Sequence, residues 1–291
     1  MIRDRLSARA LMIALYGDHS DMLFGTGTGF LVSTAIGPCL VTARHCVTGR
    51  DHYSGMLNAE SAIPTRMKVY HRVINEQGCL AEQALITEEL LYGPDAAPVW
   101  YEHHKYKDLC DFVVVPLRDL RSELSLNFVD TGFGRVELSV APPGGMQVAD
   151  DMRVGITPGE QLSVIGFPFG GFTGSVWPIW ASGFLAAELE SNDGPGPAYV
   201  DCRARPGQSG SPVYVKRRGE VPLIDGEHAL IDGVSYTFLG IYSGRINSES
   251  DIGIVWPAQG LTRTIELLPN LARASMPFQR FIGSPISRVA R

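Results

Sequence analysis

The run Arg205-Pro206-Gly207-Gln208-Ser209-Gly210-Ser211-Pro212-Val213-Tyr214 decides how this chain reads. A serine hydroxyl is a weak nucleophile until a base takes its proton and donors hold the negative oxygen that its attack creates. Glycine at 207 lets the backbone turn so that the N–H groups of Gly207 and Ser209 aim at one point. Gly210 leaves room beside the serine, and Pro212-Val213-Tyr214 begins an apolar strand. A plain Gly/Ser/Pro turn between strands has the same composition, so the weight falls on what accompanies the run.

Two segments accompany it. Leu40-Val41-Thr42-Ala43-Arg44-His45-Cys46-Val47 leads from an apolar strand into a histidine, and Asp111-Phe112-Val113-Val114-Val115-Pro116-Leu117 sets an acid directly before another. Asp108 stands nearby, but only Asp111 directly precedes the apolar run. The order His, Asp, Ser differs from the subtilisin and α/β-hydrolase orders. Ser211 also stands where the α/β-hydrolase elbow needs glycine.

These segments resemble the general-base, acid and nucleophile segments of chymotrypsin/trypsin-like serine peptidases. Phe167-Pro168-Phe169-Gly170-Gly171 and Pro178-Ile179-Trp180-Ala181-Ser182-Gly183 are similar to a turn and strand of the bacterial branch, which includes HtrA proteases and glutamyl endopeptidases. The resemblance covers about residues 10–270. It implies an all-β fold of two packed six-stranded Greek-key barrels with a short C-terminal helix. The expected division is an N-terminal barrel over 1–125 carrying His45 and Asp111, a crossover over 126–150, a C-terminal barrel over 151–270 carrying Ser209, and a tail over 271–291. The segment after 270 is too short for the PDZ domain of HtrA proteins.

The resemblance also implies a serine endopeptidase working through an acyl-enzyme. Ser209 is the nucleophile, His45 the base, Asp111 the residue that orients it, and the N–H groups of Gly207 and Ser209 form the oxyanion hole. Such chemistry needs neither metal nor cofactor, and the expected partner is a protein or peptide substrate, with a regulatory protein as a further candidate. Two other readings use the same fold: a catalytically silent binding or regulatory module, and an esterase. The pocket maps onto residues 201–206 and 241–245, which include Arg203, Tyr242, Ser243 and Gly244. Arg203 either turns inward to meet an acidic side chain or outward, pairing with Asp201. No acid occupies the pocket base, so trypsin-type cleavage is not expected.

Composition agrees. Across 291 residues, 45% are hydrophobic and 32 are Gly and 19 Pro, which suits many turns and short strands around a sizeable core. A net charge of −6 does not suggest a general nucleic-acid binder, which usually shows a basic face. No segment approaches the ~20 apolar residues of a membrane span. Ala10–Tyr16 follows several Arg residues as a signal peptide's apolar run would. However, Asp4 interrupts the basic stretch and Gly17-Asp18-His19 replaces a cleavage site, so it reads as the first strand of a cytoplasmic, bacterial protein.

The five cysteines, Cys39, Cys46, Cys79, Cys110 and Cys202, are odd in number and lack a framework of spacings, so reduced thiols are expected. The Cys that secreted animal members pair with the one after the histidine is absent near Phe30. A zinc site from Cys79, His103, His104 and Cys110 lacks Cys-x-x-Cys spacing and is not expected. His103 and His104 lie in a polar loop and read as surface residues, although His103 competes with His45 as base. Leu80–Leu91 reads as helix or hairpin, and the Arg-bearing 275–291 segment as a tail or docking arm.

Overall fold

The alternation that defines this fold is visible residue by residue in its central strands. Phe30 and Val32 face one apolar cluster while Leu31 between them faces another; Val114 and its neighbours Val113 and Val115 divide in the same way. Side chains of a strand alternate between its faces, and a strand covered on both faces reads as a continuous apolar run. That is why Phe30-Leu31-Val32 and Val113-Val114-Val115 show no polar alternation.

The computed structural model describes residues 5–17, 22–57, 63–72, 84–118, 137–138, 155–170, 177–189 and 196–274. After a short helix α1 (Arg5–Arg9), the first sheet contains β1 (Ala10–Tyr16), β2 (Leu23–Thr34), β3 (Gly37–Thr42), β4 (Arg66–His71), β5 (Leu85–Leu90), β6 (Tyr101–Glu102) and β7 (Val113–Pro116), with helix α2 (Arg44–Thr48) following β3. Its order is β5-β4-β1-β2-β3-β7-β6. The ends are drawn together by the Tyr92–Pro98 bridge and by Val99 N–H donating to Leu91 O at 3.0 Å. The second sheet contains β8 (Glu137–Leu138), β9 (Gln161–Gly166), β10 (Ile179–Leu185), β11 (Ala198–Cys202), β12 (Pro212–Pro222), β13 (His228–Arg245) and β14 (Ile252–Pro257). β9 to β14 form a closed ring, because β12 pairs with both β9 and β13. Helix α3 (Ala258–Leu267) follows.

This is the two-barrel fold with a C-terminal helix that the sequence led us to expect. Its first sheet has seven strands where six were expected, because the two-residue β6 adds an edge beside β7. The apolar residues form one cluster inside each barrel and a third between them, where Phe30, Phe112 and Val114 meet Phe167, Tyr214, Phe238 and Trp256. α3 adds Leu261 to that interface.

Several local expectations change. Residues 85–90 of the Leu80–Leu91 stretch are strand, as the alternating burial of β5 requires. β12 and β13 extend past the barrel as a ribbon, paired from Arg217–Ser235 out to Pro222–His228, with Val221 and Ile231 packed together on it. β8 lies within the stretch assigned to the crossover and pairs with Ser235 and Tyr236. His103 is buried rather than on the surface. Its Nδ1 accepts the N–H groups of Lys105 and Tyr106, each at 3.1 Å, its ring stacks on His104, and it packs against α3 at Gly260. Asp18, Gly171, Cys79, the Pro142–Gly145 breaker and the 275–291 tail lie outside the described residues. No helix among the described residues is long and apolar enough to cross a membrane.

The barrels come very close at Gly210. Its φ is +87°, and a Cβ there would fall 2.0 Å from the Thr28 carbonyl oxygen and 2.4 Å from Thr42 Oγ1. Gly219, on the exposed ribbon, has φ +75° with nothing within 4 Å of such a Cβ. Gly219→Ala therefore carries left-handed strain alone, about 1–2 kcal/mol. Gly210→Ala adds a clash with backbone and is expected to lower the urea midpoint far more; equal losses for the two variants would refute the close approach.

Candidate active site

β3 ends at Thr42 and the chain turns at once into α2. The helix is one turn and a fraction long, held by the burial of Cys46, Val47 and Thr48 and closed by Gly49 in the left-handed region, whose N–H donates to His45 O at 3.0 Å. Arg44 Nε donates to Glu102 Oε1 at 2.7 Å and braces the helix against β6. His45 is left facing a cavity, its side chain 23% exposed.

Asp111, immediately ahead of β7, is buried beneath the ring. His45 Nδ1–H donates to Asp111 Oδ2 at 2.6 Å, and the His45 backbone N–H donates to Oδ1 at 2.8 Å. A carboxylate only accepts, so the proton sits on Nδ1 and the lone pair of the neutral ring is on Nε2. Ser243 Oγ donates a third, short bond to Oδ2. Burial disfavours the charge on His45, but the adjacent carboxylate outweighs it and holds the pKa well above the usual 6.5. Burial likewise raises Asp111, while His45 and Ser243 overcome it and leave its pKa below the ordinary carboxylate value.

The loop from Arg205 to Ser211 reaches the same place from the other barrel. Ser209 Oγ donates to the Ser243 carbonyl at 2.9 Å. Gly207 has φ +94°, and a Cβ there would lie 2.5 Å from Phe167 O. The peptide ahead of Gly207 is fixed by Phe169 N–H donating to Pro206 O at 2.7 Å, and the peptide after it by Thr28 Oγ1 donating to Gly207 O at 2.9 Å. In a trans peptide the N–H points opposite to the C=O, so anchoring the Pro206 carbonyl on Phe169 turns the Gly207 N–H the other way. Gln208, Gly210 and Ser211 N–H groups donate to Arg205, Tyr242 and Gln208 carbonyls. Among the described residues, those of Gly207 and Ser209 have no acceptor and stay available to an incoming oxyanion.

His45, Asp111 and Ser209 thus line one cavity of about 440 Å³ with Ser243 and Gly244, within the range of small-ligand sites. Asp108 is not the carboxylate that meets His45. Two of the expected pocket residues lie elsewhere. Tyr242 is buried inside the second barrel with Val200 and Leu239. Arg203 turns outward, its side chain 77% exposed, with Nε 3.9 Å from Asp251 rather than beside Asp201. Ser243 does more than wall a pocket. A β-bulge between Tyr242 and Gly244 sets it out of register with β14, sending its hydroxyl to Asp111 while its carbonyl receives Ser209.

Sequence reading missed two contributors. His52 lines the cavity, with Nδ1 3.9 Å from Asp111 Oδ1 and its ring edge-on to Trp256. Asp51 accepts from Tyr53 N–H, Ser54 N–H and Ser54 Oγ, shaping the loop that presents His52; the Asp51-x-x-Ser54 spacing was its available signal. Arg245, the last residue of the 241–245 stretch mapped to the pocket, stands on the wall beyond Gly244. The four described cysteines, Cys39, Cys46, Cys110 and Cys202, are buried free thiols.

A family model described as trypsin-like peptidase domain matches residues 27–221, and this chain belongs to that family. No curated protein matches it. The serine endoprotease from Yersinia pestis is similar over 89% of this chain at 14% identity with a TM-score of 0.43; this chain spans 62% of that one. The active form of the Rv3671c protease from M. tuberculosis is similar over 93% of this chain and 84% of its own, at 14% identity and a TM-score of 0.46.

The His45–Asp111 pair fixes a pH dependence. The raised folded pKa of His45 gives stability that is complete below the unfolded value of about 6.5 and is lost as pH rises through the folded value. The lowered pKa of Asp111 gives stability present above about 3.9 and lost as pH falls through its folded value. In urea titrations, the advantage of wild type over His45→Ala is expected to be greatest between about pH 4 and 6.5. An advantage that grew above pH 8 would contradict the pairing.

Proposed function

We propose that this chain is a serine endopeptidase acting through His45, Asp111 and Ser209. The observation that carries the reading is the hydrogen-bonded set around one buried carboxylate: Asp111 holds the His45 ring from below, and Ser243 joins Asp111 to Ser209 within a single cavity. A turn about the Ser209 Cα–Cβ bond takes its hydroxyl from the Ser243 carbonyl towards His45 Nε2. Nε2 accepts the proton as Oγ attacks the scissile carbonyl carbon, and the N–H groups of Gly207 and Ser209 receive the oxyanion. His45, now a cation stabilised by Asp111, returns the proton to the departing amine. Water, deprotonated by the same ring, then attacks the Ser209 ester, and the ring returns that proton to the departing Ser209 Oγ as the acid is released.

One observation favours a second reading, a catalytically silent two-barrel module: the hydroxyl rests on Ser243 O instead of on the imidazole. A fluorophosphonate probe separates the two, since only a base-activated Ser209 is covalently labelled. Labelling lost in Ser209→Ala supports the peptidase, and an unlabelled wild-type protein refutes it. A panel of peptide and ester substrates then separates a peptidase from an esterase. Ser209→Ala is expected to lower kcat on the order of 10⁴–10⁶ with thermal stability nearly unchanged.

Asp111→Asn is expected to cost roughly 10⁴ in kcat, because an amide can present a donor where Nδ1–H needs an acceptor. Asp108→Asn should cost little. The rise of kcat/KM with pH should have a midpoint above 6.5 in wild type. It should move down in Asp111→Asn, since loss of the carboxylate removes what holds the proton on His45. We place the protein in the cytoplasm, and activity should survive millimolar reductant, measured with the same substrate; a large loss would argue for a structural disulfide.

A further inference from the structure

The end of β13, from Ser243 to Arg245, forms part of the cavity wall. β12 pairs with β13 only as far as Ile241, so Gly244 and Arg245 keep their ladder to β14 on one side and, among the described residues, have with the bulged Ser243 an edge towards the cavity on the other. At Gly244 nothing lies within 4 Å of the place a Cβ would occupy. An extended peptide can add to such an edge, main chain to main chain, while side chains of the edge select what it carries.

Arg245 is the cation on that edge. It is half-buried on the cavity wall, and among the described residues its guanidinium has neither a carboxylate nor a hydrogen-bond acceptor. The acids around it are engaged. Asp251 lies 3.9 Å from both Arg203 and Arg205, Asp51 accepts three bonds from its own loop, and Asp111 is held by His45 and Ser243. A guanidinium presents a planar fork of donors that fits a carboxylate bidentately. Two residues along a strand span about 6–7 Å. Arg245 therefore stands within a side chain's reach of the Ser243 carbonyl, against which Ser209 rests.

We infer that Arg245 is a specificity residue that receives an acidic side chain of the substrate within three residues of the scissile bond. The inference rests on the peptidase reading for its orientation relative to Ser209, but binding of the carboxylate does not require turnover.

The test uses the full chain and peptides carrying Glu or Gln at each of three positions on either side of the scissile bond. In wild type, the Glu/Gln ratio of kcat/KM at one position is expected to be about 10- to 100-fold, the worth of a charge-assisted hydrogen bond, and to shrink with added salt. Arg245→Ala should bring the ratio near one, Arg245→Lys should keep part of it, and Arg245→Glu should invert it towards a Lys peptide. Each ratio is internal to one variant, so loss of folded protein cancels. The same Glu and Gln peptides titrated into Ser209→Ala by fluorescence anisotropy give a readout without chemistry. Turnover with no acid preference, or a preference that survives Arg245→Ala, overturns the role of Arg245 and leaves the peptidase standing. Acid-selective binding that depends on Arg245, with no turnover of any peptide by wild type, supports the site and overturns the peptidase. Neither binding nor turnover overturns both.

Discussion

Thr28 is the point on which the two barrels agree. It belongs to β2 of the first sheet, yet its backbone N–H donates to Ser209 O at 2.9 Å and its hydroxyl donates to Gly207 O at 2.9 Å. The same hydroxyl accepts from Phe167 N–H at 3.0 Å, and the Thr28 carbonyl accepts from Thr42 Oγ1 at 2.7 Å. Every polar group of one fully buried residue is thereby used, three of these bonds crossing to the second barrel. A loop built from glycine, proline and serine has little apolar surface with which to hold itself, so its conformation must be imposed through hydrogen bonds from a rigid neighbour. Leaving any of these groups buried and unpaired costs about 1–3 kcal/mol, which makes the alternatives to this loop geometry expensive.

Asp111 imposes the complementary electrostatic constraint. Burying a lone carboxylate costs several kcal/mol. Here the charge is met by two N–H groups of His45 from one barrel and the Ser243 hydroxyl from the other. The apolar interface around Phe30, Tyr214, Phe238 and Trp256 supplies adhesion without direction. The carboxylate supplies direction, because only one relative placement of the barrels brings Ser243 to it.

How much of this was legible in the chain follows from the range of the interactions. His45, Asp111 and Ser209 stand out because each is joined to a strongly apolar strand, a local signal that survives in the sequence. Gly207 and Gly210 are legible for the same reason: left-handed backbone and close approach both demand glycine. Ser243 was readable as part of a cleft strand, but its bond to Asp111 depends on a bulge, and a bulge is a property of pairing with β14 rather than of either strand. Tyr242 and Arg203 illustrate the same limit. Which face a residue takes is set by register, and a shift of one position exchanges the faces, putting Tyr242 into the core and Arg245 on the wall. His103 sits among polar neighbours in sequence, and its burial comes from contacts the local sequence does not mark, with Phe112 and with α3 at Gly260. The β12–β13 ribbon alternates apolar and polar residues too weakly to mark its length in advance.

The placement of these groups along the chain also orders events in time. His45 and Asp111 are 66 residues apart and both lie in the first barrel, whereas the bond from Thr28 to Gly207 spans 179 residues. Contacts of such separation form after local ones, because the loop entropy must be overcome first. During synthesis His45 and Asp111 leave the ribosome well before Ser209 is made. The Gly207 and Ser209 peptides are set in place only once the second barrel docks on β2. Neither half of the molecule holds the linked His45, Asp111, Ser243 and Ser209 alone, so this arrangement comes into being with the last long-range closure.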